Sequence, residues 1–210
     1  MAVDASATRA KLMAAGERLF ATQGIHGAQI REVVRAADQA NDSAVHYHFG
    51  SRAGLLGAIC QQHINAMEPE RERRLAAQDE APTLDTVVTG LVRPIADRLH
   101  SQSGRYFLRI TAQLAGHAGV RSGSQPPAIV GPALRRQLDQ VRELCAQQMP
   151  AELAGERVAV MIGTLTAALA DRAAAMDDGA RFVLDDEAFV ANLEAMLVAA
   201  LRAPVPAVSR

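Results

Sequence analysis

The sequence predicts an all-α protein of about nine helices, in which a small helix-turn-helix domain precedes a larger helical bundle. Hydrophobic residues make up 49% of the 210 residues, but aromatic residues only 3%. A core of this kind is rich in Ala and Leu, which favour helices, and poor in the side chains that favour strands. Apolar residues also recur at three- and four-residue spacing along most of the chain, and we find no strand-like alternation.

The first three predicted helices are short. Residues 8–22 carry apolar side chains at helical spacing, and the stretch 29–37 ("QIREVVRAA") places its apolar residues on one side. A four-residue polar turn, "DQAN", follows. Asn41 is predicted to cap a third helix over residues 41–48, and Gly50 to end it.

The remaining helices are longer. Ser51 is predicted to cap the fourth helix, which Pro69 should kink or end. Thr83 is predicted to cap the fifth, with a kink at Pro94. A loop is predicted over residues 122–127 ("SGSQPP") because they are rich in turn residues. Further helices are expected over residues 104–120, 133–149, 151–176 and 186–202.

Composition limits the classes of function. The net charge of −1 gives no nucleic-acid signal for the whole chain. The N-terminus lacks the apolar core of a signal peptide, and no apolar run is expected to span a bilayer, so we predict a cytoplasmic protein without a membrane partner. Cys60 and Cys145 have no metal-type spacing. They are predicted to be buried, reduced thiols, with a redox sensor as the alternative.

The stretch "NDSAVHYHFGSRAGLL" (residues 41–56) contains the most distinctive pattern. Together with the second helix it forms a helix-turn-helix, the unit that places its second helix in the major groove of DNA. A zinc site at His46 and His48 is an alternative, but i, i+2 spacing on a helix separates the side chains by about 200°. A catalytic histidine is a second alternative. Its nearby partners would be Asp42 and Ser43, but the sequence around them lacks the loop that presents a nucleophile.

Residues 8–62 resemble the N-terminal domain of the tetracycline-repressor-like (TetR) family of bacterial transcription regulators. The first helix has an "AAxxxLFAxxG"-like pattern, the second an "IRxVxxxA" pattern. The third ends in an aromatic and histidine run followed by Phe, a small residue, Ser, a basic residue and "xxLL". The resemblance implies a DNA-binding regulator, a divergent ligand domain and a two-fold dimer.

The resemblance also implies which residues contact DNA. Gln29 would touch a phosphate or a base edge, Tyr47 and His48 would meet phosphates, and Arg52 would attract a phosphate at the start of the fourth helix. The full predicted set is Gln29, Asn41, Asp42, Ser43, Ala44, His46, Tyr47, His48 and Arg52.

Several positions depart from the family pattern. His46 stands where many members have Tyr, and Ala28 where a Thr or Ser often caps the second helix. Asp38 and Gln39 replace the usual Ala and Gly of the turn. Asp42 is acidic at the groove-facing end of the recognition helix, where it could accept a hydrogen bond from cytosine N4 or stabilise the helix N-terminus.

The bundle offers weaker signals for a ligand site. Tyr106, Arg109 and Gln113 share a helix face by their spacing. A cavity of this kind is mostly apolar with a few placed polar groups, whereas the alternative is ordinary buried polar residues and solvated arginines. The predicted ligand-binding residues are His100, Tyr106, Arg109, Gln113 and His117, with Phe107, Leu114 and Met161 as apolar walls.

These observations lead to one functional prediction. Residues 1–52 form the DNA-binding domain, and residues 53–210 bind a ligand and dimerise through the last two long helices. The protein is expected to be a repressor that a small molecule releases from a palindromic operator, with no metal, no cofactor and no enzymatic activity. The alternative is a helical small-molecule-binding protein or enzyme with no role on DNA.

Overall fold

The computed structural model describes residues 2–39, 41, 43–77, 81–118 and 130–205. Within these residues the chain forms nine α-helices, one 3-10 segment and no strand, so the predicted fold class is confirmed. The helices are α1 (Ala2–Gln23), α2 (Ile30–Ala36), α3 (Ser43–Phe49), α4 (Arg52–Ala76), α5 (Leu84–Ala96), α6 (Gln102–Ala118), α7 (Pro132–Ala146), α8 (Ala151–Asp177) and α9 (Asp186–Leu201). The 3-10 segment, Asp97–His100, connects α5 to α6.

Local capping signals set several of these boundaries. Gly54 N–H donates to Ser51 Oγ at 3.0 Å at the start of α4, and Thr86 N–H donates to Thr83 Oγ1 at 3.2 Å at the start of α5. Each bond satisfies a backbone donor that the first turn of a helix leaves free. Both predicted caps are therefore confirmed.

Several boundaries differ from the prediction. Helix α1 begins at Ala2 rather than at residue 8, and α7 ends at Ala146 rather than at residue 149. Helix α4 does not end at Pro69 but continues to Ala76. The residues on either side of the proline, Met67 and Arg71, are both buried, and their packing outweighs the lost backbone hydrogen bond. At the start of α3, Ser43 N–H donates to Asn41 Oδ1 at 2.8 Å, which is the bond of the helix cap predicted at Asn41. The predicted loop over residues 122–127 lies outside the described residues.

The buried apolar side chains form two clusters. The N-terminal cluster joins α1, α2, α3 and most of α4, and α6 contributes Phe107 and Ile110 to it. The larger C-terminal cluster joins the 3-10 segment and α5 to α9. Because α6 adds residues to both clusters, the helix-turn-helix domain is packed on the bundle rather than tethered to it.

Helix α8 corrects one expectation about the sequence. It is the one helix among the described residues that is long and apolar enough to cross a membrane by length and composition. In the structure, 44% of its apolar window is buried within the protein. Its inner residues belong to the C-terminal cluster, with Leu165 and Leu169 among them. The length and apolar composition of α8 are therefore explained by its place as a central helix of the bundle.

Candidate nucleic-acid interface and effector cavity

The turn between α2 and α3 holds the two helices of the helix-turn-helix at a fixed angle. Asp38 N–H donates to Arg35 O and Gln39 N–H to Val34 O, each at 3.0 Å, which is the hydrogen-bond pattern of a Schellman motif. Asp38 takes the left-handed position of that motif with a φ of 57°. This position is the one that glycine occupies at lowest cost, although Asp tolerates it better than most residues.

Helix α3 has a buried side and an exposed side. Val45 is 2% exposed and lies in the N-terminal cluster, which Ala44 and Phe49 contact from the edge. Tyr47 is 82% exposed, and Ser43 and His46 are exposed as well. A large aromatic side chain held in water on a two-turn helix makes few contacts that stabilise this fold, so it is available to contact a partner.

The other residues predicted to contact DNA lie around this exposed side. Gln29 and Asn41 are exposed at the N-terminal ends of α2 and α3. The ring of His48 meets that of Tyr47 edge to face at 5.0 Å and that of Phe49 at 6.2 Å. Asp42 lies outside the described residues.

Arg52 already has partners within the protein. Its Nη2 donates to the carbonyl oxygen of Ile25, and its guanidinium lies 5.5 Å from the ring centroid of Phe20. The side chain therefore holds the α1–α2 connection against the start of α4.

Arg9 is a second cation at this surface. Its guanidinium lies 5.1 Å from the ring centroid of Phe49, and the residue is exposed. Arg9 was not predicted as a contact residue because only the packing of α1 beside α3 brings it to Phe49.

The bundle contains a partly open cavity between α4, α5, α6, α7 and α8. The centre of a water molecule can reach about 80 Å³ of it. Its polar lining consists of Glu68, Arg71, Thr111 and Thr166. Its apolar lining includes Ile64, Met67, Leu91, Phe107, Leu138 and Leu165. The cavity thus combines an apolar wall with a few polar groups, as small-molecule sites do.

Of the residues predicted to bind ligand, those with described side chains lie elsewhere. His100 is exposed, and its Nδ1 lies 3.2 Å from Asp97 O. Tyr106 is half-buried beside the N-terminal cluster. Arg109 Nη1 lies 3.7 Å from Asp177 Oδ2. The side chain of His117 is outside the described part of the chain. None of the first three lines the cavity.

Gln113 joins the bundle to the helix-turn-helix domain instead. Its Oε1 accepts from Ile25 N–H at 2.8 Å, and its Nε2 donates to Phe20 O at 3.1 Å. Of the predicted apolar walls, Phe107 lines the cavity, whereas Leu114 and Met161 do not.

The charged residues of the cavity, Glu68 and Arg71, were not predicted from the sequence. Arg71 follows Cys60, Ile64 and Met67 at three- and four-residue spacing, and all four are buried on one face of α4. A charged residue in register with an apolar stripe is the signal that could have identified it. It was hidden in the charged run "EPERERR", which is typical of a solvated helix.

The cysteines and the potential metal ligands give no sign of a further site. Both cysteines are buried and free, as predicted, and burial raises the pKa of the Cys60 thiol to about 12. Burial also raises the pKa of Cys145. Among the described residues, no group of three His, Cys, Asp or Glu side chains could hold a metal ion.

The exposed second helix of the helix-turn-helix is suited to bind DNA, and the cavity of the adjoining bundle is suited to bind a small molecule. This combination in one polypeptide is typical of one-component transcription regulators. Residues 12–59 match the family model of the bacterial regulatory proteins of the tetR family. The helix-turn-helix domain of this chain belongs to that family, which confirms the resemblance seen in the sequence. A comparison with curated protein sequences gave no match.

Solved structures extend this likeness over nearly the whole chain. The fatty acid degradation regulator FadR from Bacillus halodurans is 19% identical with a TM-score of 0.57, over 93% of this chain and 96% of that one. NalD, the secondary repressor of the MexAB-OprM multidrug efflux pump in Pseudomonas aeruginosa, is 18% identical with a TM-score of 0.54, over 92% and 95%. A TetR-like transcriptional regulator from Rhodococcus sp. RHA1 is 13% identical with a TM-score of 0.56, over 92% and 95%. At these identities the likeness shows the fold.

Proposed function

We propose that this protein is a transcriptional repressor that binds a palindromic DNA operator as a homodimer and is released by a small molecule. The observation that carries the proposal is the geometry of α3, which buries Val45 at 2% exposure and presents Tyr47 at 82%. A short helix with this orientation is what a helix-turn-helix inserts into the major groove. No catalytic step is needed, and binding to the chromosome implies a cytoplasmic location.

The proposed DNA-binding unit is residues 1–52, and residues 53–210 form the sensor and the dimer interface. The proposed DNA contacts are Gln29, Asn41, Asp42, Ser43, Ala44, His46, Tyr47, His48 and Arg52, to which we add Arg9. Arg9 is the cation in this set that is exposed beside α3, so it is suited to a phosphate contact. Arg52 is only partly exposed, and we expect it mainly to position the start of α4.

The outer faces of α8 and α9 support a dimer. Val160 on α8 and Met196 on α9 are each 56% exposed. One turn after Val160 on α8 stands Gly163, where an added Cβ would meet nothing within 4 Å. An apolar face with small side chains lets helices of two subunits approach closely, and a two-fold pair of recognition helices reads a palindrome.

Helix α4 is the proposed connection between effector and DNA. Its first half contributes Leu55 and Ile59 to the N-terminal cluster, and its second half lines the cavity with Met67 and Arg71. An effector that changes the position of the second half therefore changes the separation of the two recognition helices. An effector that prefers the conformation unable to bind DNA lowers operator affinity. The size of the effect is the ratio of the effector's affinities for that conformation and for the DNA-binding one.

The test is selection of bound duplexes from a random DNA pool by the full-length protein, followed by affinity measurements across a salt series. We expect enrichment of a palindrome whose affinity falls steeply with salt. Tyr47→Ala should reduce affinity for that duplex at least tenfold, or about 1.4 kcal/mol. Val183→Ala, at a fully exposed position between α8 and α9, is the matched control and should bind as the wild type does. Failure to enrich any sequence would refute the proposal.

A further inference from the structure

Arg71 is a buried cation in the wall of the cavity. It is 2% exposed, and both of its hydrogen bonds come from Nη1, to Leu91 O at 3.0 Å and to Gln137 Oε1 at 2.8 Å. Both acceptors are neutral. These bonds hold the guanidinium between α4, α5 and α7 without neutralising its charge.

The other edge of the guanidinium is unpaired. Among the described residues, Nε and Nη2 of Arg71 form no hydrogen bond, and no carboxylate forms an ion pair with the side chain. Burial lowers the pKa of Arg71 to about 10, because the charged form has lost its water, so the side chain still carries its charge at neutral pH. A buried charge of this kind is costly unless a counter-ion joins it.

Glu68 is the one carboxylate among the described residues that line the cavity, but its oxygens accept hydrogen bonds from backbone groups rather than from Arg71. Oε2 accepts from Ala133 N–H at 2.8 Å, and Oε1 accepts from Leu134 N–H at 3.4 Å. Its negative charge thus stabilises the N-terminus of α7. Gly131 makes this approach possible, since a Cβ there would lie 2.4 Å from Glu68 Cδ. The charge of Glu68 raises the pKa of Arg71 only partly back towards its usual value.

The hydroxyl groups of the two threonines in the cavity already donate hydrogen bonds to backbone carbonyls, so they are not free to donate to a ligand. Thr111 Oγ1 donates to Leu108 O at 2.8 Å, and Thr166 Oγ1 donates to Ile162 O at 2.9 Å, within their own helices. Arg71 is therefore the group in this lining with charged donors to offer a ligand.

We propose that the effector is a small organic anion, whose carboxylate pairs with Nε and Nη2 of Arg71 and whose apolar body lies against Phe107 and Leu165. Nε and Nη2 form one planar edge of the guanidinium, which matches the two oxygens of a carboxylate. The space of about 80 Å³ favours a compact body. This inference rests on the proposed function only in taking the cavity as the effector site.

The test compares straight-chain carboxylates from butyrate to decanoate with the alcohol and the alkylammonium ion of the same length. Binding to the full-length protein is measured by calorimetry at neutral pH and constant ionic strength. The carboxylate of the best length should bind at least about tenfold more tightly than its alcohol, and the ammonium ion more weakly than either. If no carboxylate binds more tightly than its alcohol, the inference is wrong.

Variants assign the preference to Arg71. In Arg71→Met the carboxylate should lose its advantage, whereas affinity for the alcohol should stay unchanged. Arg71→Lys, which keeps the charge but not the planar edge, should retain only part of the advantage; it replaces the Met variant if that one does not fold. Arg136→Met is the matched control, because Arg136 pairs with Glu72 at an exposed site and does not line the cavity. An advantage that persists in both Arg71 variants would overturn the inference.

A separate measurement distinguishes this inference from the proposed function. The selected operator is titrated with the best carboxylate. If the carboxylate binds the wild type through Arg71 but leaves the protein on DNA, the anion site stands and the proposed release mechanism fails. If DNA binding itself is never found, the calorimetric result still decides the inference.

Discussion

The junction between the helix-turn-helix domain and the bundle depends on a buried carboxylate, Glu17 of α1. Its Oε1 lies 2.5 Å from Nε2 of His63 in α4, and its Oε2 accepts from Ser103 Oγ of α6 at 2.7 Å. Glu17 is 7% exposed and His63 5%. The ring of His63 stacks on that of Phe107, with centroids 4.3 Å apart and planes 13° apart. One carboxylate therefore joins three helices.

We expect Glu17→Ala to destabilise the protein by about 3 to 5 kcal/mol. A buried donor left without an acceptor costs about 1 to 3 kcal/mol, and Glu17 is the acceptor for two donors. The substitution leaves the imidazole N–H of His63 and the hydroxyl of Ser103 unpaired. In a chain of this length each kcal/mol lowers Tm by about 2 to 4 °C, so the expected drop is on the order of 10 °C.

Two controls make this measurement specific. Glu17→Gln keeps an acceptor in place and should cost about 1 to 2 kcal/mol. Glu72→Ala removes a carboxylate whose ion pair with Arg136 is half exposed, and should cost at most about 1 kcal/mol. Unfolding is followed by circular dichroism in a denaturant series. If Glu17→Ala proved no more destabilising than Glu72→Ala, the network would contribute little to the junction.

Three further predictions concern other parts of the chain. Asp38→Gly should stabilise the protein by about 0.5 to 1 kcal/mol, because glycine takes a φ of 57° without strain, whereas Asp139→Gly within α7 should destabilise it by about 1 kcal/mol; equal effects in denaturant unfolding would contradict this reasoning. Gln113→Leu should speed hydrogen exchange at the Ile25 amide, which loses its acceptor, and cost about 1 to 2 kcal/mol; unchanged exchange of that amide would show that the contact is not maintained in solution. Both cysteines should resist a thiol reagent at pH 8 in the native protein and react after unfolding, because burial raises their pKa and so disfavours the reactive thiolate; one thiol reacting in the native state would refute this.

The candidate DNA-binding site could be predicted from the sequence because it is built from local signals. The caps at Asn41 and Ser51 and the apolar spacing of α2 and α3 each act over a few residues. Family resemblance added the direction in which α3 faces, and the structure agrees with it at Tyr47. Arg9 escaped prediction because its place beside Phe49 depends on how α1 crosses α3.

The candidate effector site could not be predicted in this way. Gln113 lies on α6 in register with Tyr106, yet it bonds to the α1–α2 connection, which is distant in sequence. Arg71 stands in a charged run and follows a proline that was expected to kink or end the helix, but packing on both sides of Pro69 carries α4 past it and turns Arg71 inward.

The sequence by itself thus determined the helices, the helix-turn-helix and the family of that domain, since caps, periodicity and turn chemistry operate within one or two helical turns. Only the tertiary structure decided which polar side chains face the cavity and which join the two domains. Those roles depend on how the helices of both domains cross, and a crossing is set by packing between residues far apart in the chain.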